Sequence, residues 1–233
     1  MNKKALAQSL QKLGIMSFSN FSSIPHREAP MIEVHHLKES RSRRITWLLE
    51  ELGLDYTVIS YDRDPKTRLA PPELQKIHPL GKAPVIRDKD QTLIESGAII
   101  DYLIRTYGNG SLAPAVGTAN YNRYVQFLHY AEGSAMLPLL LKLYVSRLGE
   151  AGAPLHPRIN GEVANHFSYL NSELESRDYF VGDSLTGADI QLSFAIQSAV
   201  RGAGREAFPN LTRFVDMVAA RPAYQRAVEK YSE

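Results

Sequence analysis

Cysteine is absent from all 233 residues. The chain therefore has no disulfide framework, thiolate zinc site or cysteine nucleophile of its own, and any thiol chemistry must use sulfur brought by a ligand. Charge of one sign is equally scarce. Lys and Arg number 27 against 25 Asp and Glu, and a net charge of +2 is too small to produce the positive field that nucleic acid requires. Long hydrophobic runs are missing too: the most apolar stretch, Met136 to Val145, is about half a bilayer-spanning length and is interrupted by Lys142. The sequence thus predicts no nucleic-acid partner and no membrane span. What it has is 44% hydrophobic residues, enough for two compact domains.

Residues 1–30 open with Met1-Asn2-Lys3-Lys4, which hints at an export signal, but Gln8, Gln11 and Lys12 break the apolar core such a signal needs. They read as a poorly ordered extension of a cytoplasmic protein. Ile32 to Leu37 is β-prone, and a polar turn at Ser40 to Arg44 leads into an amphipathic helix in which Ile45, Leu48, Leu49 and Leu52 recur at helical spacing before Gly53. Tyr56 to Tyr61 is a second strand, making a βαβ unit with a parallel strand pair. Pro65 to His78 is irregularly helical. Val85 to Arg87 and Thr92 to Glu95 form a hairpin, and Ser96 opens a helix with Ile99, Ile100, Leu103 and Ile104 on its apolar face. Everything later reads as helix: Tyr121 to Leu148, His156 to Ser176, Gly187 to Gly202, and short helices starting near Asn210 and Pro222. The fold class is α/β plus all-α, a βαβαββα domain over 31–108, a linker over 109–118 and a helical bundle over 119–233.

Three motifs sharpen this. Ser40-Arg41-Ser42-Arg43-Arg44 followed by Trp47-Leu48-Leu49-Glu50-Glu51-Leu52-Gly53-Leu54, the segment His78-Pro79-Leu80-Gly81-Lys82-Ala83-Pro84-Val85, and Thr186-Gly187-Ala188-Asp189 occur in the order and spacing of a known family. The chain resembles the cytosolic glutathione transferases, in particular bacterial and fungal serine-type members, over about residues 31–232. The resemblance implies a thioredoxin-like first domain, glutathione as co-substrate with no permanently bound cofactor, a hydrophobic electrophile as second substrate, a homodimer, and a part in detoxification and stress response. A face around Ile99 to Arg105 meeting the partner's Tyr121 to Gln126 is the expected dimer contact.

Site residues follow from the resemblance and from chemistry. Pro84 is expected in the cis form, turning the backbone of Ala83 toward the bound peptide. Ser96, at a helix N-terminus, suits the γ-glutamyl carboxylate and Glu95 the amino group, while Lys82 suits the glycyl carboxylate. Holding the thiol as thiolate near neutral pH means lowering a pKa of about 8.5 by roughly two units, which requires ~2.7 kcal/mol. A hydroxyl donated from the first helix's N-terminal turn is of that order. Ser40 is the first catalytic choice and Ser42 the second, although the serine-type hydroxyl position, counted back from Glu50-Glu51-Leu52-Gly53-Leu54, falls at Glu39. The stabilising donor could equally be a backbone N–H or Arg41. Tyr124, Phe127 and Tyr130, together with Met136, are expected as an apolar wall for the electrophile.

Other patterns carry less. His35 and His36 point to opposite faces of a strand and cannot chelate one metal, so no metal site is expected. Arg41, Arg43 and Arg44 read as a solvated basic face, with Arg41 also a candidate to help hold an anionic group of glutathione, and Glu50 and Glu51 as a solvated or dimer-facing surface. Thr186 and Asp189 fit a structural capping box. The competing functional reading is a non-catalytic ligand carrier or regulatory interaction module on the same fold.

Overall fold

The computed structural model describes residues 31–230, so the extension expected over 1–30 lies outside the described residues. From Ile32 onward the chain packs as one unit. Strand β1 (Ile32–Leu37) is central and buried along nearly its whole length, with Ile32, Val34 and Leu37 in the core and His35 and His36 buried beside them. It pairs in parallel with β2 (Tyr56–Tyr61), from Ile32 opposite Tyr56 to Leu37 opposite Tyr61, and in antiparallel fashion with β3 (Val85–Asp88), which forms a hairpin with β4 (Gln91–Ile94). The sheet order is β2-β1-β3-β4. Helix α1 (Arg43–Leu52) crosses between β1 and β2 and ends where Gly53 adopts φ +63, the left-handed value that lets Leu54 N–H close back on the carbonyl of Leu49. The region 65–78 is helical only at α2 (Pro72–Ile77), because a helix cannot run through Pro71 and Pro72 and can start only with Pro72 in its first turn. Helix α3 (Ser96–Tyr107) completes the first domain, with Ile99, Ile100 and Leu103 fully buried.

The helical domain begins at α4 (Ala119–Tyr130), capped by Thr118. The single helix expected over 121–148 is interrupted. A five-residue π turn, Ala131–Ala135, separates α4 from α5 (Met136–Val145), and a 3₁₀ segment with a non-helical Gly149 (Ser146–Leu155) leads to α6 (His156–Glu173). Helix α7 (Gly187–Ala203) runs through the middle of this domain. The Thr186–Asp189 capping box is present, and the buried Asp189 carboxylate also accepts from Phe180 N–H at 2.8 Å. Burial pushes the Asp189 carboxyl up to about 6 despite those donors. Gly187 is where α7 meets α3: a Cβ there would lie 2.6 Å from Ile104 Cδ1 and 2.7 Å from Ile100 Cγ2, so no larger residue fits without displacing that contact.

Two short helices, α8 (Pro209–Ala219) and α9 (Pro222–Glu229), close the chain. Here the structure corrects the reading of Glu50 and Glu51. Neither is a solvated or partner-facing carboxylate. Arg221 grips Glu51 with two hydrogen bonds of 2.6 and 2.9 Å, and Arg226 and Lys230 hold Glu50 at 2.7 and 3.0 Å. Burial works against the Glu50 charge, but the bonds from Arg226, Lys230 and Tyr56 keep its carboxyl below the usual range. Trp47, buried, meets Tyr224 edge-to-face at 5.3 Å. Helix α9 and the residues beside it are thus fastened to α1.

Candidate functional site

A cleft of about 850 Å³ opens between the sheet domain and the helical domain. Its sheet-side wall includes Ser40, Arg41, Lys82 and Ala83, four of the residues singled out from sequence. The loop from β1 to α1 brings the first two there. Glu39 sits at φ +53, which breaks the strand direction, and Arg63 anchors the turn by donating to the carbonyls of Lys38 and Glu39 at 2.8 and 3.1 Å. Glu39 itself, the position of the serine-type hydroxyl, points an exposed carboxylate to an ion pair with Arg68.

Behind Ser40 lies a chain of polar groups. The Oγ atoms of Ser40 and Ser42 share a hydrogen bond of 2.6 Å, and Ser42 Oγ shares another of 2.7 Å with His36 Nδ1. All three residues are buried, Ser40 at the cleft wall and the other two behind it. Ser42 occupies the cap position of α1 without capping it with its side chain, because that hydroxyl is taken by His36. Of the adjacent histidines, His36 thus serves this turn, while His35 bonds Tyr61 through its own Nδ1 at 2.9 Å. Burial, reinforced by Arg87 and opposed by Glu33, holds His35 below its ordinary value and so neutral.

A second cluster joins the two domains. Glu132, on the π turn, accepts from Arg41 Nε through both oxygens at 2.9 and 2.8 Å and from Arg44 Nη1 at 2.5 Å. Arg44 also donates to Ser96 Oγ at 3.1 Å, and both guanidinium groups lie over the ring of Phe194. This corrects the solvated basic face: Arg44 is 1% exposed. Its burial lowers its pKa to about 10, with the charge and hydrogen bond of Glu132 resisting, which leaves it cationic at neutral pH. Sequence reading missed Glu132 entirely. The only local signal is a lone acidic side chain within the small-residue run Ala131-Glu132-Gly133-Ser134-Ala135.

The cis peptide expected before Pro84 is present, and Ala83 lies just beyond the sheet ladder, which begins at Val85. Ser96 is buried at the start of α3, and Glu95 before it is exposed at φ +65, a backbone region that side-chain-bearing residues rarely occupy. The expected apolar wall is corrected. Tyr124 and Phe127 are buried in the helical core, and Tyr130 bonds His166 at 2.6 Å; none of the three lines the cleft. Of the expected wall Met136 does line the cleft, and the rest of the apolar side is made by Leu139, Leu140, Leu143, Tyr144 and Phe194.

Known proteins align with this architecture. The family pattern for the glutathione S-transferase N-terminal domain matches residues 29–105, and that for the C-terminal domain matches residues 118–222. Glutathione S-transferase 3 of Schizosaccharomyces pombe is 35% identical over 87% of this chain and 89% of its own. The crystal structure of a glutathione S-transferase from Actinobacillus pleuropneumoniae superposes with a TM-score of 0.79 at 41% identity, covering 86% of this chain and 92% of the other. A family member from Pseudomonas fluorescens, solved with two glutathione molecules bound, superposes with a TM-score of 0.74 at 26% identity, over 88% and 95%.

Proposed function

The chain belongs to the glutathione S-transferase family, and from that premise we propose that its cleft binds glutathione, holds the thiol as thiolate and transfers it to an apolar electrophile. The observation that carries this reading is the buried chain from His36 through Ser42 to Ser40, which ends at the cleft wall in a hydroxyl. When the imidazole donates into Ser42 and Ser42 into Ser40, the proton of Ser40 is free to point outward at sulfur. One such bond to an anion contributes about 1.5–3 kcal/mol, which matches the ~2.7 kcal/mol needed to bring a thiol down two pKa units.

The rest of the peptide has partners of the right kind. Ala83 offers backbone N–H and C=O to the cysteinyl residue, and Lys82 a cation to the glycyl carboxylate. Ser96 and the α3 N-terminus suit the γ-glutamyl carboxylate, with Glu95 for the amino group and Arg44 behind Ser96 adding positive charge. Arg41, engaged by Glu132, braces the turn. The apolar wall receives the electrophile. The thiolate attacks its carbon as the leaving group departs with the bonding pair, and the thiol proton passes to solvent. Reduction of organic hydroperoxides by the same thiolate belongs to this proposal, as do a cytoplasmic location and a detoxifying role.

The chain is further proposed to pair with a second copy. Because Ile99, Ile100 and Leu103 are buried within the subunit, the side of α3 left for a partner is that of Asp101 and Arg105, which form an ion pair at 2.7 Å. Sedimentation equilibrium is expected to give twice the chain mass, and a monomer at all concentrations would refute pairing. For the function, calorimetry should detect reduced glutathione, and steady-state kinetics should show turnover of an aryl halide that falls about 10–100-fold in Ser40→Ala. Saturable binding with no turnover of any electrophile or peroxide would make the protein a carrier, and no binding at all would remove the proposal.

A further inference from the structure

The cleft lining is strongly basic although the whole chain is nearly neutral. On the sheet side the cations are engaged: Arg41 with Glu132, Arg68 with Glu39, and Arg63 with backbone carbonyls, leaving Lys82 for glutathione. On the helical side Lys142 of α5, Arg147 just after it and Arg201 near the end of α7 line the same cleft, and no carboxylate pairs with them among the described residues. Arg147 makes only a contact with the ring of Tyr144, at 5.8 Å. Glu39, already paired, is the single acidic residue of the lining among the described residues.

The same helical side of the lining carries Leu139, Leu140, Leu143 and Phe194, so the cleft sets these three cations and an apolar wall together. Like charges held around a low-dielectric wall repel one another and raise the local concentration of anions. A neutral apolar compound leaves that field unanswered. A compound with an apolar body and an anionic end answers both the wall and the cations. Resting on the reading that glutathione occupies the sheet side of the cleft, we propose that the second substrate is an apolar electrophile bearing a carboxylate, with its body on the leucines and Phe194 and its carboxylate at Lys142, Arg147 and Arg201. In the reaction the carbon–sulfur bond forms as the carbon–halogen bond breaks, and the halide leaves with the electron pair. The carboxylate is unchanged and serves only to position the reacting carbon.

Calorimetric affinities of the full-length protein for S-benzylglutathione and S-(4-carboxybenzyl)glutathione test this, since the two conjugates differ only in the carboxylate. The carboxylated conjugate is expected to bind about tenfold tighter at low ionic strength, the sum of three partly exposed charge contacts. The preference should shrink on raising salt, and should fall below about twofold in the triple variant Lys142→Gln/Arg147→Gln/Arg201→Gln, with S-benzylglutathione affinity unchanged. Equal affinities in the unsubstituted protein would overturn the proposal. So would a triple variant that weakens both conjugates alike, or a stoichiometry of two glutathione molecules per chain whose second site requires the same three cations. If neither conjugate nor glutathione itself binds, the glutathione reading has failed, and the substrate class falls with it; if S-benzylglutathione binds without any carboxylate preference, only the substrate class has failed.

Discussion

The Oγ of Ser40 lies between the cleft and a second hydroxyl, so its behaviour depends on which way the protons run through Ser42 to His36. If His36 Nδ1 is the donor, Ser40 donates outward; if Nδ1 accepts, Ser40 offers only lone pairs. His36 is therefore a positioning residue. His36→Leu is expected to raise the pKa of bound glutathione by about one unit, read from the ultraviolet absorbance of the thiolate, and His36→Asn, whose amide replaces Nδ1, should restore most of it. A merely structural role would lower stability in both without moving the titration. The neighbouring His35 makes a different prediction. Its folded pKa is depressed, so the unfolded chain takes up a proton first as pH falls below about 6.5. Stability is fully present above that value and declines below it, by up to ~1.4 kcal/mol per pH unit until the folded-state value is passed. Denaturant unfolding between neutral and mildly acidic pH should show this slope, flattened in His35→Gln. The Ser40–Ser42 turn was legible in sequence because a polar run separates a strand from an amphipathic helix. Of the apolar wall only Met136 was. Tyr124 and Phe127 satisfy the same spacing whether a helix faces a cleft or a core, and only packing decides between them.

The π turn Ala131–Ala135 shifts the helical register just where the two domains meet, and Glu132 reaches both Arg41 and Arg44 from it. Nothing in the periodicity of 121–148 announced that break, because one extra residue in a turn leaves the average apolar pattern nearly intact. The partners are also 91 and 88 residues apart in sequence. Glu132→Ala leaves the buried Arg44 guanidinium without its counter-charge and is expected to cost about 3–5 kcal/mol in chemical denaturation. Because Arg44 also touches Ser96, weaker glutathione binding should accompany that loss. By contrast the Thr186–Asp189 cap was readable outright, since its geometry is encoded within four consecutive residues.

Across the whole molecule, the sheet half and the helical half share a continuous core, and Glu50 and Glu51 of α1 are held by Arg221, Arg226 and Lys230 at the far end of the chain. Sequence reading assigned those carboxylates to the surface because their cations lie about 170 residues away. Arg221→Ala removes a two-bonded, largely shielded pair with Glu51 and should lower unfolding stability by about 1–3 kcal/mol, with a shift in melting temperature as a second readout. The clamp also orders events during biosynthesis. Helix α1, which carries the reactive turn, draws these restraints from residues 221–230, so during synthesis it stays unfastened until that stretch has been made and has left the ribosome, and a chain truncated ahead of residue 221 would leave α1 without this anchor.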